Sequence, residues 1–154
     1  MTKVLLSLHV LAAILTIGPI TVAASMFPRY ARQSAGGDAR ESDGGTAAFL
    51  HRLCRGYAVV GIAVPVLGVA TGARMGVLAD AWLLTSIALT AAAGALLITV
   101  VLPGQARLLG QPAEAAPELR PAAARLSMTT GMFNLLWAAV VVLMIVRPGS
   151  TTGA

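Results

Sequence analysis

The chain has 154 residues, of which 57% are hydrophobic and only 11% are charged. A water-soluble domain carries about 25% charged residues, so this composition excludes an ordinary soluble fold. The formal net charge of +5 predicts contact with anionic lipid and no nucleic-acid partner, because the basic residues flank apolar segments and do not alternate with aromatic residues.

Four long segments of the chain lack charged residues, namely Val4–Pro28, Gly56–Ala73, Ala81–Ala106 and Leu126–Val146. A bilayer core about 30 Å thick needs roughly 20 apolar residues in a helix. The sequence therefore predicts an all-α polytopic membrane protein, an antiparallel bundle of four transmembrane helices that forms one membrane domain over residues 1–154. The helices are expected at about 4–27, 50–73, 81–104 and 122–147, with a flexible cytoplasmic loop at about 31–46.

The orientation follows from the distribution of Lys and Arg around the predicted helices. Four spans place both termini and the second connection on one side, which carries Lys3, Arg74 and Arg147. The first and third connections carry the other basic residues, which are Arg29, Arg32, Arg40, Arg52, Arg55, Arg107, Arg120 and Arg125. Because basic residues accumulate on the cytoplasmic side, both termini are predicted to lie outside the cell.

His9, on the first helix, is the one ionisable residue expected at membrane depth. A neutral imidazole can bind haem iron or contact a quinone, and it can equally form a hydrogen bond to a neighbouring carbonyl or hydroxyl group. His51 is expected on the opposite side of the membrane, so one molecule cannot supply two histidines to one haem. Met144 lies at a compatible depth for a His–Met pair, or serves as core filler.

The second helix has basic residues near its N-terminus and a series of glycines further along. Arg52 and Arg55 lie at its amphipathic start, where contact with lipid headgroups is expected. Small residues four apart allow helix backbones to approach closely. The series predicts a packing seam, used either against the third helix or in a homodimer; its members are Gly61, Gly68, Gly72 and Gly76.

The fourth helix carries Asn134 at mid-membrane depth. A buried amide in lipid needs hydrogen-bond partners, so Asn134 is expected to bond across helices, with a substrate contact as the alternative. The sequence has no phosphate-binding loop, no nucleophile–base pair and no metal-ligand spacing. Its single cysteine, Cys54, excludes an internal disulfide. No catalytic or metal-binding residue is predicted.

Short stretches on three helices carry a family resemblance. They are Leu8–Leu15 with Phe27-Pro28-Arg29, Arg52–Arg55 with Pro65, and Met132-Phe133-Asn134 with Val146-Arg147-Pro148. The chain resembles small four-helix bacterial integral membrane proteins of unknown function, which are distantly similar to HemJ-type protoporphyrinogen oxidases and to CopD-like membrane domains. The resemblance implies the four-helix fold, a membrane redox setting and His9 as the residue matching a haem-linked histidine. The third helix lacks the histidine of the HemJ-type proteins, and Leu135 stands where they have an acidic residue, so no oxidase activity is inferred.

These observations favour a non-enzymatic subunit or accessory of a membrane assembly, in the inner membrane of a bacterium. One alternative is a redox protein that binds haem or quinone through His9, with haem b as the cofactor. A weaker alternative is a partner of a metal or small-molecule permease. The expected partners are the lipid bilayer and another membrane protein or a second copy of the chain.

Overall fold

The computed structural model describes residues 2–34, 41–111 and 116–149, and helices dominate all three parts. A π-helical segment, Leu97–Val101, joins two of the α-helices. The α-helices in chain order are α1 (Thr2–Ser34), α2 (Glu41–Val60), α3 (Ala63–Met75), α4 (Ala81–Leu96), α5 (Leu102–Leu109) and α6 (Ala116–Val146).

Within the described residues, four helical segments are long and apolar enough to cross a membrane, which confirms the predicted all-α membrane fold. These spans are Thr2–Ser34, Gly44–Met75, Ala81–Leu109 and Leu119–Val146. The second span comprises α2 and α3, and the third comprises α4, the π-helical segment and α5. Helix covers both ends of the predicted loop at 31–46, and positions 35–40 lie outside the described residues.

The bundle has two ends, which we name by their features. At the arginine end α1 finishes and α2 begins, and Arg52, Arg107 and Arg125 lie there. At the hairpin end the turn Gly76–Asp80 joins α3 to α4. Gly76 ends α3 with φ +72°, and the following N–H, of Val77, donates to the carbonyl of Gly72 at 3.1 Å. Such a left-handed helix end favours glycine, because a Cβ would be strained there.

The half of the bundle nearer the arginine end is tightly packed. Its core joins Phe27 of the first span, Cys54 of the second, Val101 of the third and Phe133 of the fourth, all nearly fully buried. In a bilayer such a core stabilises the bundle through close packing, since lipid is as apolar as the side chains. The first span packs against the second and the fourth, and the third packs mainly against the fourth.

The half nearer the hairpin end is more open, and two prolines account for this. Pro65 cannot donate to the carbonyl of Gly61, which accepts the N–H of Val64 at 3.0 Å instead. The helix is interrupted there, between α2 and α3. Pro103 is the second residue of α5, just after the π-helical segment of the third span, where the regular hydrogen-bond ladder is also interrupted.

Beyond these two irregularities the second and third spans separate. α3 and α4 touch only weakly, and α2 meets α5 near the arginine end. The sequence predicted a packing seam along the glycine series, used against the third helix or in a homodimer. In the structure α3 packs mainly against the first span and only weakly against α4.

Candidate functional site

A cavity of about 1040 Å³ occupies the open half of the bundle. Side chains from all four spans line it, and most of them are apolar. On the second span the lining begins at Val64, just after the helix break, and on the third it ends at Ile98, within the π-helical segment. The two irregularities therefore define the floor of the cavity. Its volume is at the upper end of the range for small-molecule and cofactor sites.

His9 is the titratable side chain on the first span that lines this cavity. Its Nδ1 lies 2.9 Å from the carbonyl oxygen of Val64. A carbonyl oxygen can only accept a hydrogen bond, so Nδ1 carries the proton and donates it. Nε2 of the neutral ring is then unprotonated and presents a lone pair. Histidines that bind metals are commonly oriented in this way, with the other ring nitrogen donating to a carbonyl group.

Gly68 makes room for the imidazole of His9. A Cβ on Gly68 would lie 2.9 Å from His9 Cε1 and 3.4 Å from His9 Nδ1. The first distance is shorter than real Cβ contacts, so the ring could not keep its position beside an alanine. Val64 and Gly68 are one turn apart on α3, and together they hold the ring through a hydrogen bond and through close packing.

The outer rim of the cavity is formed by Met144 and Arg147. Arg147 has a left-handed backbone, with φ +45°, and its Nε donates to the carbonyl of Met144 at 3.2 Å. Its guanidinium carbon lies 5.5 Å from the ring centroid of Trp82. The Trp82 indole N–H in turn donates to Asp80 at 3.0 Å. The rim therefore presents a positive charge next to a thioether and above an apolar interior.

A second polar cluster, which the sequence analysis missed, lies in the packed half. His51 Nδ1 is 3.0 Å from Gln105 Oε1 and donates to it, and Gln105 Nε2 donates to Cys54 Sγ at 3.7 Å. Gln105 and Cys54 have no exposed surface. The sequence signal was an amide within an apolar segment, Gln105 between Gly104 and Ala106. His51 and His9 lie in different halves of the bundle, as the predicted topology required.

Asn134 lies between the fourth and first spans, and its Nδ2 donates to Ser25 Oγ at 3.2 Å. The other amide atom, Oδ1, is buried and has no hydrogen-bond partner in the described residues. The same is true of Thr130 Oγ1 and Trp137 Nε1. These three residues are spaced four and three apart and therefore occupy one face of α6.

The other glycines of the predicted packing seam and the two predicted headgroup arginines lie at separate places in the bundle. Gly72 approaches the third span, since a Cβ there would lie 2.7 Å from Leu83 Cδ2. Gly61 faces only the backbone of its own helix, and Gly76 has no neighbour within 4 Å of a Cβ. Gly61 thus marks the helix break and Gly76 the helix end. Arg52 and Arg55 are exposed at the arginine end, and their contact with lipid headgroups stays a prediction.

Among the described residues no group of three or more His, Cys, Asp or Glu side chains could hold a metal ion. Comparison with protein-family models, with curated proteins and with solved structures found no match for this chain. The fold therefore defines the class by itself: this is a multi-pass membrane protein with four apolar helices.

Proposed function

We propose that this protein binds haem b in the cavity at the hairpin end and serves as a non-enzymatic redox subunit of a membrane assembly. The observation that carries the proposal is the hydrogen bond from His9 Nδ1 to the carbonyl of Val64. It leaves Nε2 as a fixed lone-pair donor on the wall of a cavity large enough for a flat cofactor. When bound, haem supplies reversible one-electron chemistry at its iron.

The residues around the cavity fit haem better than they fit a quinone. A quinone carbonyl accepts hydrogen bonds and needs a donor, whereas His9 Nε2 has no proton to donate in this tautomer. Haem iron is commonly held by a histidine nitrogen lone pair, and a cation near either of its two carboxylates is favourable. Arg147 supplies a cation at the rim, and Met144 is a second side chain on the cavity wall that could ligate iron.

The test is the visible spectrum of the detergent-purified protein after expression with sufficient haem. We expect a Soret band and one haem per chain by pyridine haemochrome assay, and loss of both in His9→Ala. His51→Ala is the matched control, because it removes the only other histidine and should leave the band intact. Added imidazole should restore haem binding to His9→Gly. Colourless wild-type protein, or equal losses in the two histidine variants, would contradict the proposal.

A second candidate is an assembly subunit without a cofactor, which the outer face of α4 favours. Ala81, Thr85, Ala88 and Ala92 are all exposed, and their spacing of four, three and four places them on one stripe. Small residues in such a stripe allow a partner helix to approach closely. Ala88→Leu together with Ala92→Leu should release a co-purifying membrane partner, whereas Val59→Leu together with Val66→Leu, on the exposed face of the second span, should retain it.

A further inference from the structure

A second, smaller pocket lies at the arginine end, between the third and fourth spans. Its volume is about 200 Å³, below the range of about 300–1000 Å³ that holds small organic ligands. Arg107 of α5 and Arg125 of α6 form its two sides. It does not share lining residues with the cavity that contains His9.

The two arginines leave their charges available. Both are exposed, and neither forms an ion pair or a side-chain hydrogen bond with any other residue that the structure describes. Asp80 is the only carboxylate whose side chain the structure describes, and it lies at the hairpin end beside Trp82. Two guanidinium groups on facing helices, without a partner among the described residues, can bind an anion, and guanidinium matches the geometry of phosphate oxygens.

The chemical type of the residues that line the pocket changes along the axis of the bundle. Arg107 is followed one turn deeper by Pro103 and Gly104, and a further turn deeper by Thr99 and Val100. On the facing helix the order is Arg125, Leu126 and Thr129. The charges therefore lie at one end of the pocket, and the rest of its lining is uncharged and largely apolar. A phospholipid has the same order, with its phosphate at one end and its acyl chains at the other.

Gly104 sets the distance between the two sides of the pocket. A Cβ on Gly104 would lie 3.1 Å from Leu126 Cδ1, so the helices approach closely at this level. Arg107 lies one turn after Gly104 on α5, towards the arginine end. Arg125 directly precedes Leu126 on α6. Both arginines line the pocket on the side of this close contact that faces the arginine end.

We infer that Arg107 and Arg125 bind the phosphate of an anionic phospholipid with a single phosphate group, of the phosphatidylglycerol class. The charge pair selects an anion, and the depth profile of the pocket selects a lipid over a soluble ion. Basic pockets between transmembrane helices are known sites for anionic headgroups. The inference is independent of haem binding, since the two sites lie at opposite ends of the bundle.

The experiment uses the full chain in nanodiscs that contain equal amounts of phosphatidylcholine and phosphatidylglycerol. The protein is released from the nanodiscs together with the lipids it retains, and native mass spectrometry identifies these lipids. We expect the wild type to retain one phosphatidylglycerol in preference to phosphatidylcholine. The variant R107Q/R125Q should show a preference reduced roughly thirtyfold, since each arginine near a membrane surface contributes about 1 kcal/mol and every 1.4 kcal/mol is a factor of about ten. R107K/R125K keeps the charges and should retain part of the preference.

The matched control is R52Q/R55Q, which removes two exposed arginines from the same end of the bundle but none from the pocket. It should retain phosphatidylglycerol as the wild type does. Equal loss in the two glutamine variants would overturn the inference, because it would show a general attraction of the basic surface. Displacement of the lipid by millimolar inorganic phosphate would also overturn it, because the site would then bind the free anion.

Discussion

The imidazole of His9 lies directly against the backbone of Gly68, and a Cβ on Gly68 would come within 2.9 Å of His9 Cε1. The position of the one histidine on the cavity wall thus depends on the absence of a side chain on the neighbouring helix. One turn earlier on that helix, the carbonyl of Val64 accepts the Nδ1 proton of His9 at 2.9 Å. The contact links a residue of the predicted glycine series to the residue that carries the proposed function.

We predict that Gly68→Ala destabilises the protein by about 1–3 kcal/mol, the usual cost of overpacking. The added methyl group would displace the His9 ring and weaken its bond to Val64. Gly94→Ala is the control, because Gly94 lines the same cavity but has nothing within 4 Å of a Cβ. Thermal unfolding in detergent should separate the two variants, and equal melting temperatures would contradict the close contact.

Gly72 and Leu83 form a second close contact, with 2.7 Å between a Gly72 Cβ and Leu83 Cδ2. Gly72→Ala should cost less than Gly68→Ala, because the tip of a leucine side chain can rotate away. We expect the free-energy losses of Gly72→Ala and Leu83→Ala to be non-additive, since residues in contact couple by about 0.5–3 kcal/mol. A double-mutant cycle of unfolding free energies measures this, and strictly additive losses would exclude the contact.

Gln105 should be the most sensitive polar residue in the packed half. Gln105→Ala removes the acceptor of the His51 proton and the donor to Cys54, and it leaves a space in a fully buried region. Buried polar groups left unpaired cost about 1–3 kcal/mol. We expect a loss of this size or more in unfolding free energy. Gln33→Ala, at an exposed glutamine of the same end, should change stability little.

Cys54 is predicted to react slowly with maleimide in the folded protein. Its side chain has no exposed surface, and it is the only cysteine in the chain, so mass spectrometry reports its modification directly. The protein unfolded in detergent should react fully. As a positive control, Gln33→Cys in a Cys54→Ser background places a thiol at an exposed position. Equally fast labelling of native Cys54 would argue against the packed core.

The orientation in the membrane can be tested with the same chemistry. In a Cys54→Ser background, Ala79→Cys places a thiol on the exposed hairpin turn, and Gln33→Cys places one near the arginine end. We expect a membrane-impermeant maleimide to label Ala79→Cys on intact cells and Gln33→Cys only after lysis, because basic residues remain in the cytoplasm. The reverse pattern would show that the termini lie inside.

The spans could be predicted because hydrophobicity over about 20 residues is a local property of the chain. Asn134 and His9 were recognisable as polar residues at membrane depth for the same reason. Gln105 was missed because it lies at the end of an apolar segment, where a glutamine can equally face headgroups. Its burial between His51 and Cys54 depends on three helices meeting.

The sequence by itself determined the class of protein and the number of spans. Only the tertiary structure decided which helices are neighbours, and hence that Gly68 meets His9 and that Arg107 and Arg125 share one pocket. Helix formation in a membrane follows from local hydrogen bonding and length. Helix pairing depends on the shapes of surfaces far apart in sequence, and the interruptions of regular helix near Pro65 and Pro103 are part of those shapes.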